Sequence, residues 1–250
     1  LLEGESEIRL TTKIESKGYI DMTLKTLKTF GITVTETENG WSIPGGQKYH
    51  GPRMRYAEGD WSNAAFWLVA GAIGGSIGCQ GLDMESPQGD RAIAALLEEF
   101  GAETKVALNQ ITATHKEMKG IRIDASQIPD LVPILCVAAA AAEGKTEIYN
   151  AGRLRMKESD RLAVMAECMQ KIGVEVEERP DSIIITGGCN PPEGEIVIDS
   201  HNDHRIVMAM AIAAVSLGVE LTILGAEAVN KSYPSFFIEL AKLGGVTNVL

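Results

Sequence analysis

Leu162-Ala-Val-Met-Ala-Glu-Cys-Met-Gln-Lys-Ile-Gly173 sets apolar residues at Leu162, Met165, Met169 and Ile172, three or four apart, and stops on a glycine. That spacing predicts an amphipathic helix with one buried stripe, closed by a glycine suited to the left-handed C-terminal position. The same ending recurs at Phe30-Gly31, Phe100-Gly101 and Leu243-Gly244, so that the four glycines lie 70, 72 and 71 residues apart. Ile93, Leu96, Leu97 and Phe100 repeat the apolar stripe. Self-similarity at a fixed period marks a fold built from repeated supersecondary units.

Working outward from Gly173, strands are expected at Val174 to Glu177 and Ser182 to Thr186, the second β-branched through Ile183, Ile184 and Ile185. A second kind of helix is predicted at Ser62 to Ile73, Asp130 to Glu143 and Asp203 to Leu217, apolar on nearly every face. A helix without a polar side must be covered all round. Each meets glycine at its end (Gly74, Gly144, Gly218) and leads into a short strand: Ser76 to Gln80, Lys145 to Tyr149, Glu220 to Leu224. The predicted class is therefore α/β, with strand-helix-strand-helix units of about 70 residues and buried apolar helices surrounded by sheets and amphipathic helices. Only Gly45 to Arg55 and Cys189 to Gly194 look irregular, and the first is the better domain boundary. At the front, Leu1-Leu2-Glu3-Gly4 reads as the end of a helix before a strand at Ser6 to Leu10, as if the chain were the back part of something longer.

The 250 residues, 45% hydrophobic, suit one large core or two modest ones. A formal charge of -11 argues against nonspecific nucleic-acid binding, so an anionic ligand must be held by local cations. Cys79, Cys136, Cys168 and Cys189 form no C-x-x-C pair and have no histidine at ligand spacing; they read as reduced core residues of a cytoplasmic protein. The longest apolar run, Leu131 to Ala142, contains Pro133 and falls short of the roughly twenty residues that span a bilayer. The first residues lack the basic and apolar regions of a signal peptide.

Polar residues gather in two sets of helix-entrance loops, where free N–H groups and the helix dipole favour anions. Ser86 to Asp90, Lys157 to Arg161 and Lys231 to Pro234 enter amphipathic helices; Gly59-Asp60, Gln127 to Asp130 and Asn202 to Arg205 enter buried ones. Arg153 to Arg161 is the densest, with four cations and two carboxylates. Asp60 and Asp203 read as helix caps, and Ser86 to Asp90 as a turn with a cap. Asp130 reads either as a cap or as a carboxylate of raised pKa able to act as a base. His204 fits a structural hydrogen-bonder as well as a catalyst. Arg205, at the start of a buried helix, calls for an anion, and Lys231 does so more weakly.

Arg155-Met-Lys-Glu-Ser-Asp-Arg161, Asn202-Asp-His-Arg205 and Lys231-Ser-Tyr-Pro-Ser-Phe-Phe237 together resemble the C-terminal signature segments of the 5-enolpyruvylshikimate-3-phosphate synthase family. Ser16-Lys-Gly-Tyr19 and Gln127-Ile-Pro-Asp130 are similar to two further segments, in the right order. The resemblance implies a two-lobed fold of three repeats per lobe, with residues 1–57 a remnant of one lobe and 58–250 most of the second. It implies transfer of the enolpyruvyl group of phosphoenolpyruvate to the 5-hydroxyl of shikimate 3-phosphate, releasing phosphate, without metal or organic cofactor, by a protein monomeric when complete. The front part of the family is missing, so the isolated chain is expected to be inactive. By carry-over, Glu158 would protonate the methylene carbon and Asp130 would accept or orient the hydroxyl proton, with Lys157 beside the 5-oxygen. Arg161, Arg205 and Lys231 would grip phosphoenolpyruvate, with His204 in the same substrate-binding set, while Ser16 and Tyr19 would contact the shikimate phosphate. Gly18 stands where many members have proline, which should loosen that loop. Arg153 falls where some members have an asparagine on the shikimate phosphate. Two rival readings remain: a UDP-N-acetylglucosamine enolpyruvyl transferase, which lacks the Lys157 to Arg161 pattern, and a noncatalytic anion-binding module on the same repeats.

Overall fold

Gly31, Gly101, Gly173 and Gly244 all take positive φ, +77°, +110°, +80° and +99°, so all four recurring glycines turn the backbone where the periodicity requires. The computed structural model describes residues 2–54 and 56–248. In its first part, β1 (Ser6–Arg9), α1 (Lys17–Thr29), β2 (Thr35–Thr37) and β3 (Gly40–Ile43) form an antiparallel sheet of order β1-β3-β2 with one helix. Little apolar surface is hidden there. Among its described residues, Ile32 and Trp41 are the buried hydrophobic ones, and no residue of α1 is buried.

The second part opens with α2 (Trp61–Gly74), β4 (Ser76–Gln80), α3 (Ile93–Phe100), β5 (Glu103–Ala107) and β6 (Gln110–Thr114), the strands forming an antiparallel sheet of order β4-β6-β5. Next come β7 (Arg122–Asp124), α4 (Val132–Ala141), β8 (Lys145–Tyr149), α5 (Arg161–Lys171), β9 (Glu175–Arg179) and β10 (Ser182–Thr186), in a sheet of order β7-β8-β10-β9. Here β7 and β8 are parallel and the other pairs antiparallel. The last unit has β11 (Val197–Asp199) parallel to β12 (Thr222–Leu224) around α6 (His204–Leu217), followed by α7 (Phe236–Lys242).

The apolar helices α2, α4 and α6 touch one another in all three pairs, as helices without a polar face must. Nine of the ten residues of α4 are buried. Filling this centre with side chains such as Phe66, Leu68, Ile134, Leu135 and Ile206 contributes roughly 1.5 to 3 kcal/mol for each large one. Aromatic packing then closes the ring of units. Trp67 of α2 stacks on Phe236 of α7 at 5.0 Å between centroids, and its Nε1 donates to the Tyr233 hydroxyl at 3.2 Å. The buried apolar cluster runs from Trp61 to Leu240 and draws on none of the described residues of the first part.

Most element expectations hold with small differences; the helix end expected at Leu1 to Gly4 is not seen, since residues 2–4 are irregular with a bend, and Leu1 lies outside the described residues. The helix expected from Asp130 begins at Val132, because Pro129–Leu131 form a tighter 3₁₀ turn first; Pro133 sits near the helix start, where its missing N–H leaves no bond unmade. The last strand is Thr222–Leu224, shorter than Glu220 to Leu224, because its parallel partner β11 offers only three residues. Gly18 behaves differently from the loosened loop expected of it. A Cβ there would stand 2.5 Å from the Pro87 carbonyl oxygen and 3.0 Å from the Gly89 nitrogen, so the glycine lets α1 dock closely on the loop entering α3.

Candidate active site

Three helix starts and the loop before α1 bring their polar residues to one place. Arg161, the first residue of α5, is its hub and is buried. Its Nε and Nη2 donate to the two oxygens of Asp203 at 2.7 and 3.2 Å, and its Nη1 donates to Asp130 Oδ1 at 2.9 Å. Glu158 Oε1 stands 3.8 Å from Nη2 on the remaining edge. One guanidinium thus links three carboxylates from three loops.

Asp203 caps α6 by accepting the Arg205 N–H at 2.9 Å, as the sequence predicts, and does more. It also accepts the Ser159 hydroxyl at 3.0 Å, and burial, which opposes ionisation, is outweighed by Arg161 and these hydrogen bonds, so its carboxyl lies below the usual range. The fork of Arg161 that the resemblance offered to a ligand is occupied by Asp203 in this structure. Asp60 is a cap as read, accepting from Ser62 N at 3.0 Å.

Asp130 corrects both options drawn from sequence. It caps nothing, and its pKa is not raised. Burial does push the carboxyl up, but Arg205, Lys157 and Arg161 together outweigh it and bring it down to about 2. The contacts are Lys157 Nζ at 3.2 Å from Oδ1 and Arg205 Nη2 at 3.3 Å from Oδ2, with Arg205 Nη1 also donating to the Asp130 carbonyl at 3.2 Å. Tyr19 places its hydroxyl 3.0 Å from Oδ2. Asp130 is therefore an ionised acceptor set among cations.

Glu158 occupies a more open flank, with His204 Nδ1 at 3.1 Å and Lys231 Nζ at 3.3 Å from Oε2. Lys231 also donates to the carbonyl of Asn202, which with His201 holds a left-handed turn, φ +56° and +50°, before α6. His204 is buried, and that burial, helped by Arg205 and opposed by Glu158, lowers its pKa, so it meets Glu158 as a neutral donor at neutral pH. Glu158, Asp203 and His204 offer ligand atoms within 4.8 Å of one another, but Arg161, Arg205 and Lys231 crowd the same space and oppose a cation.

Arg153 and Ser16 are also brought together. Arg153 Nη1 donates to Ser16 Oγ at 2.9 Å and its Nε pairs with Glu15 at 2.9 Å, while Ser16 takes a left-handed φ of +50° and the next N–H, of Lys17, donates to Gln127 Oε1 at 2.9 Å. Eight of the ten residues singled out from sequence thus lie in one side-chain network around Arg161, and the Ser16–Arg153 pair joins it through the Tyr19 N–H, which donates to the Ser16 carbonyl at 3.1 Å. A cavity of about 450 Å³ lined by Asp60, Trp67, Gln80, Tyr233 and Lys242 shares none of them.

Asp90 was not singled out. Read as part of a capped turn, it instead makes no cap and is fully buried, its Oδ2 3.0 Å from the Tyr19 hydroxyl and in contact with Ser62 Oγ. Only the fold shows this, because Tyr19 lies 71 residues earlier in the chain.

The sequence model of the family described as EPSP synthase (3-phosphoshikimate 1-carboxyvinyltransferase) matches residues 1–240. Among curated relatives, 3-phosphoshikimate 1-carboxyvinyltransferase of Clostridium acetobutylicum is 48% identical over 98% of this chain, which covers 56% of that protein. The protein of the same name from Clostridioides difficile is 41% identical, with the same coverage of both chains. The chain thus spans a little over half the length of the curated relatives it matches. A solved EPSP synthase from Acinetobacter baumannii superposes with a TM-score of 0.76 at 30% identity, covering 98% of this chain and 57% of that one. The enolpyruvyl transferase NikO from Streptomyces tendae, at 19% identity and a TM-score of 0.72, shares the fold.

Proposed function

The chain belongs to the EPSP synthase family, and on that premise we propose that its helix-entrance network serves enolpyruvyl transfer from phosphoenolpyruvate to the 5-hydroxyl of shikimate 3-phosphate, with release of phosphate. The observation that carries this reading is the pair of unlike carboxylates on either side of Arg161. Asp130 is ionised and ringed by cations, while Glu158 sits on an open flank beside His204 and Lys231. Proton transfers of opposite sense need two such environments.

In this reading Asp130 orients the attacking hydroxyl and takes its proton late, when the carbon–oxygen bond is largely formed, because a carboxyl at about 2 is a weak base. Lys157, 28% exposed and 3.2 Å from Asp130, turns toward the same oxygen. Glu158, having taken up a proton as Lys231 leaves it, delivers that proton to the methylene carbon. It takes one back from the resulting methyl group as the carbon–oxygen bond to phosphate breaks, which restores the double bond. Lys231 and Arg205 exchange their present carboxylate partners for the phosphate and carboxylate of phosphoenolpyruvate. Ser16 and Arg153 receive the shikimate phosphate, whose arrival replaces the Arg153–Glu15 pairing. Residues 1–57 form a remnant of one lobe and 58–250 most of the other, a division supported by the buried cluster that starts at Trp61.

The test is phosphate release from phosphoenolpyruvate, followed for the chain alone and combined with the front portion of a homologous protein. Release that requires shikimate 3-phosphate is expected from the combination and not from the chain alone. A combination that binds both substrates and releases no phosphate, or a Glu158→Gln form that retains full turnover, sinks the reading; the expected loss is on the order of 10² to 10⁴-fold.

A further inference from the structure

Asp90 is fully buried, and the chemistry above gives it no task. It sits where α1, α2 and the 3₁₀ turn Gly89–Ala92 meet: Tyr19 and Ser62 both reach its Oδ2, and Gln88 Nε2 holds Ser62 Oγ from behind at 3.0 Å. Its Oδ1 has no hydrogen-bond partner among the described residues.

A count of protons assigns its state. The Tyr19 hydroxyl carries one hydrogen, yet its oxygen lies 3.0 Å from Asp130 Oδ2 and 3.0 Å from Asp90 Oδ2. Asp130 is ionised, paired with Lys157, Arg161 and Arg205, so the phenol hydrogen belongs to it. Were Asp90 also a carboxylate, it would face the phenol oxygen lone pair to lone pair, and its Oδ1 would be charged, buried and bare. As a carboxylic acid it donates from Oδ2 to the phenol oxygen, still accepts from Ser62, and leaves only a neutral carbonyl bare. Of the influences on its charge, burial and Asp130 oppose ionisation, whereas the Ser62 hydroxyl, Arg205 and Tyr19 favour it. Tyr19 is kept un-ionised by burial and by the Asp130 charge, and Asp130 repels a second negative charge. Arg205 attracts one, but spends its hydrogen bonds on Asp130, and burial is the larger influence and raises the Asp90 pKa.

We propose that Asp90 is a positioning residue, a neutral carboxylic acid at neutral pH that donates to Tyr19 and so fixes the phenol hydrogen on Asp130 Oδ2. Asp130 Oδ1 is left to Lys157 and Arg161. The catalytic consequence rests on the proposed role of Asp130; the placement of the proton does not, and can be read without turnover.

The test is the infrared difference between the protein and its Asp90→Asn form at neutral pH. The carbonyl stretch of a protonated carboxylic acid should be present, shift in heavy water and vanish in the variant; loss of only an ionised-carboxylate stretch overturns the proposal. With its amide nitrogen at the Oδ2 position asparagine can give Tyr19 an N–H, although that nitrogen cannot accept from Ser62, so Asp90→Asn should lose less of the thermal midpoint than Asp90→Ala does. An asparagine form as unstable as the alanine one counts against the proposal. Should either variant fail to fold, the carbon-13 shift of the Asp90 carboxyl in the unsubstituted protein decides. It should hold its protonated value from acid to neutral pH, and titration in the ordinary aspartate range overturns the assignment.

Discussion

Asp130 and Asp203 differ in what their charges do, and pH and substitution separate them. Asp130 falls from an ordinary 3.8 to about 2 on folding, so its ionised form stabilises the protein above the unfolded value and that contribution is lost as pH drops through about 2. The shift is worth about 2 kcal/mol. The urea midpoint of the parent should therefore fall toward that of Asp130→Asn as pH is lowered from about 4 to about 2. Midpoints that stay parallel across that window would refute the assignment. Asp203 is completely buried against Arg161 at 2.7 and 3.2 Å, and removing it leaves a guanidinium in the interior with half its partners gone. Asp203→Ala should cost about 3 to 5 kcal/mol in chemical denaturation, against about 1 kcal/mol for Ser159→Ala, which deletes a single hydroxyl bond. Equal losses in the two variants would show that Arg161 finds another partner.

The recurring glycines close helices for the same reason but at different cost, which makes them a ladder of tests. Gly173, at φ +80°, has the Asn190 carbonyl oxygen 1.8 Å from where a Cβ would lie, whereas Gly218, at φ +69°, ends α6 in open space. Gly218→Ala should cost about 1 to 2 kcal/mol, the left-handed strain alone. Gly173→Ala adds a clash with backbone and should cost on the order of 3 kcal/mol or more. Urea midpoints check the order, and its reversal would mean that the loop at Asn190 yields freely. These elements were legible because helix period and glycine caps are local signals: β4, β8 and β10 fall on their predicted residues, and α2 and α6 begin within one. The Lys157 to Arg161 loop was legible too, from charge density and family pattern together. What escaped depends on contacts between distant segments. Asp90 and Asp203 both look like caps from sequence, and only the approach of Tyr19 and Arg161 shows what each carboxyl meets. The pKa of Asp130 was misjudged for the same reason. An apolar helix behind it predicts a rise, and the cations that reverse it come from residues 157, 161 and 205.

Across the molecule, apolar burial and polar contact are divided unevenly between the two parts. Among the described residues before 58, only Ile32 and Trp41 are buried hydrophobics, with the Trp41 Nε1 left unpaired, while the later part holds the continuous cluster from Trp61 to Leu240. What ties the first part to the second is polar and concentrated at 15–19: Glu15 and Ser16 on Arg153, the Lys17 N–H on Gln127, and Tyr19 on Asp90 and Asp130. The pair Lys25–Asp83 adds an exposed contact worth at most about 1 kcal/mol. Such an interface, a few polar bonds most of which are only partly buried, resists opening less than the apolar three-helix centre does. Amide exchange should therefore show β1, β2 and β3 opening at lower free energy than α2, α4 and α6, and limited proteolysis should cut first between about 48 and 54, an exposed stretch before α2. Arg153→Ala and Tyr19→Phe should each quicken exchange in α1 without altering it in α4. Protection that is uniform from β1 to α6, or an α4 that loosens as much as α1, would mean that the two parts unfold as one cooperative unit and that the boundary near residue 57 has no energetic meaning.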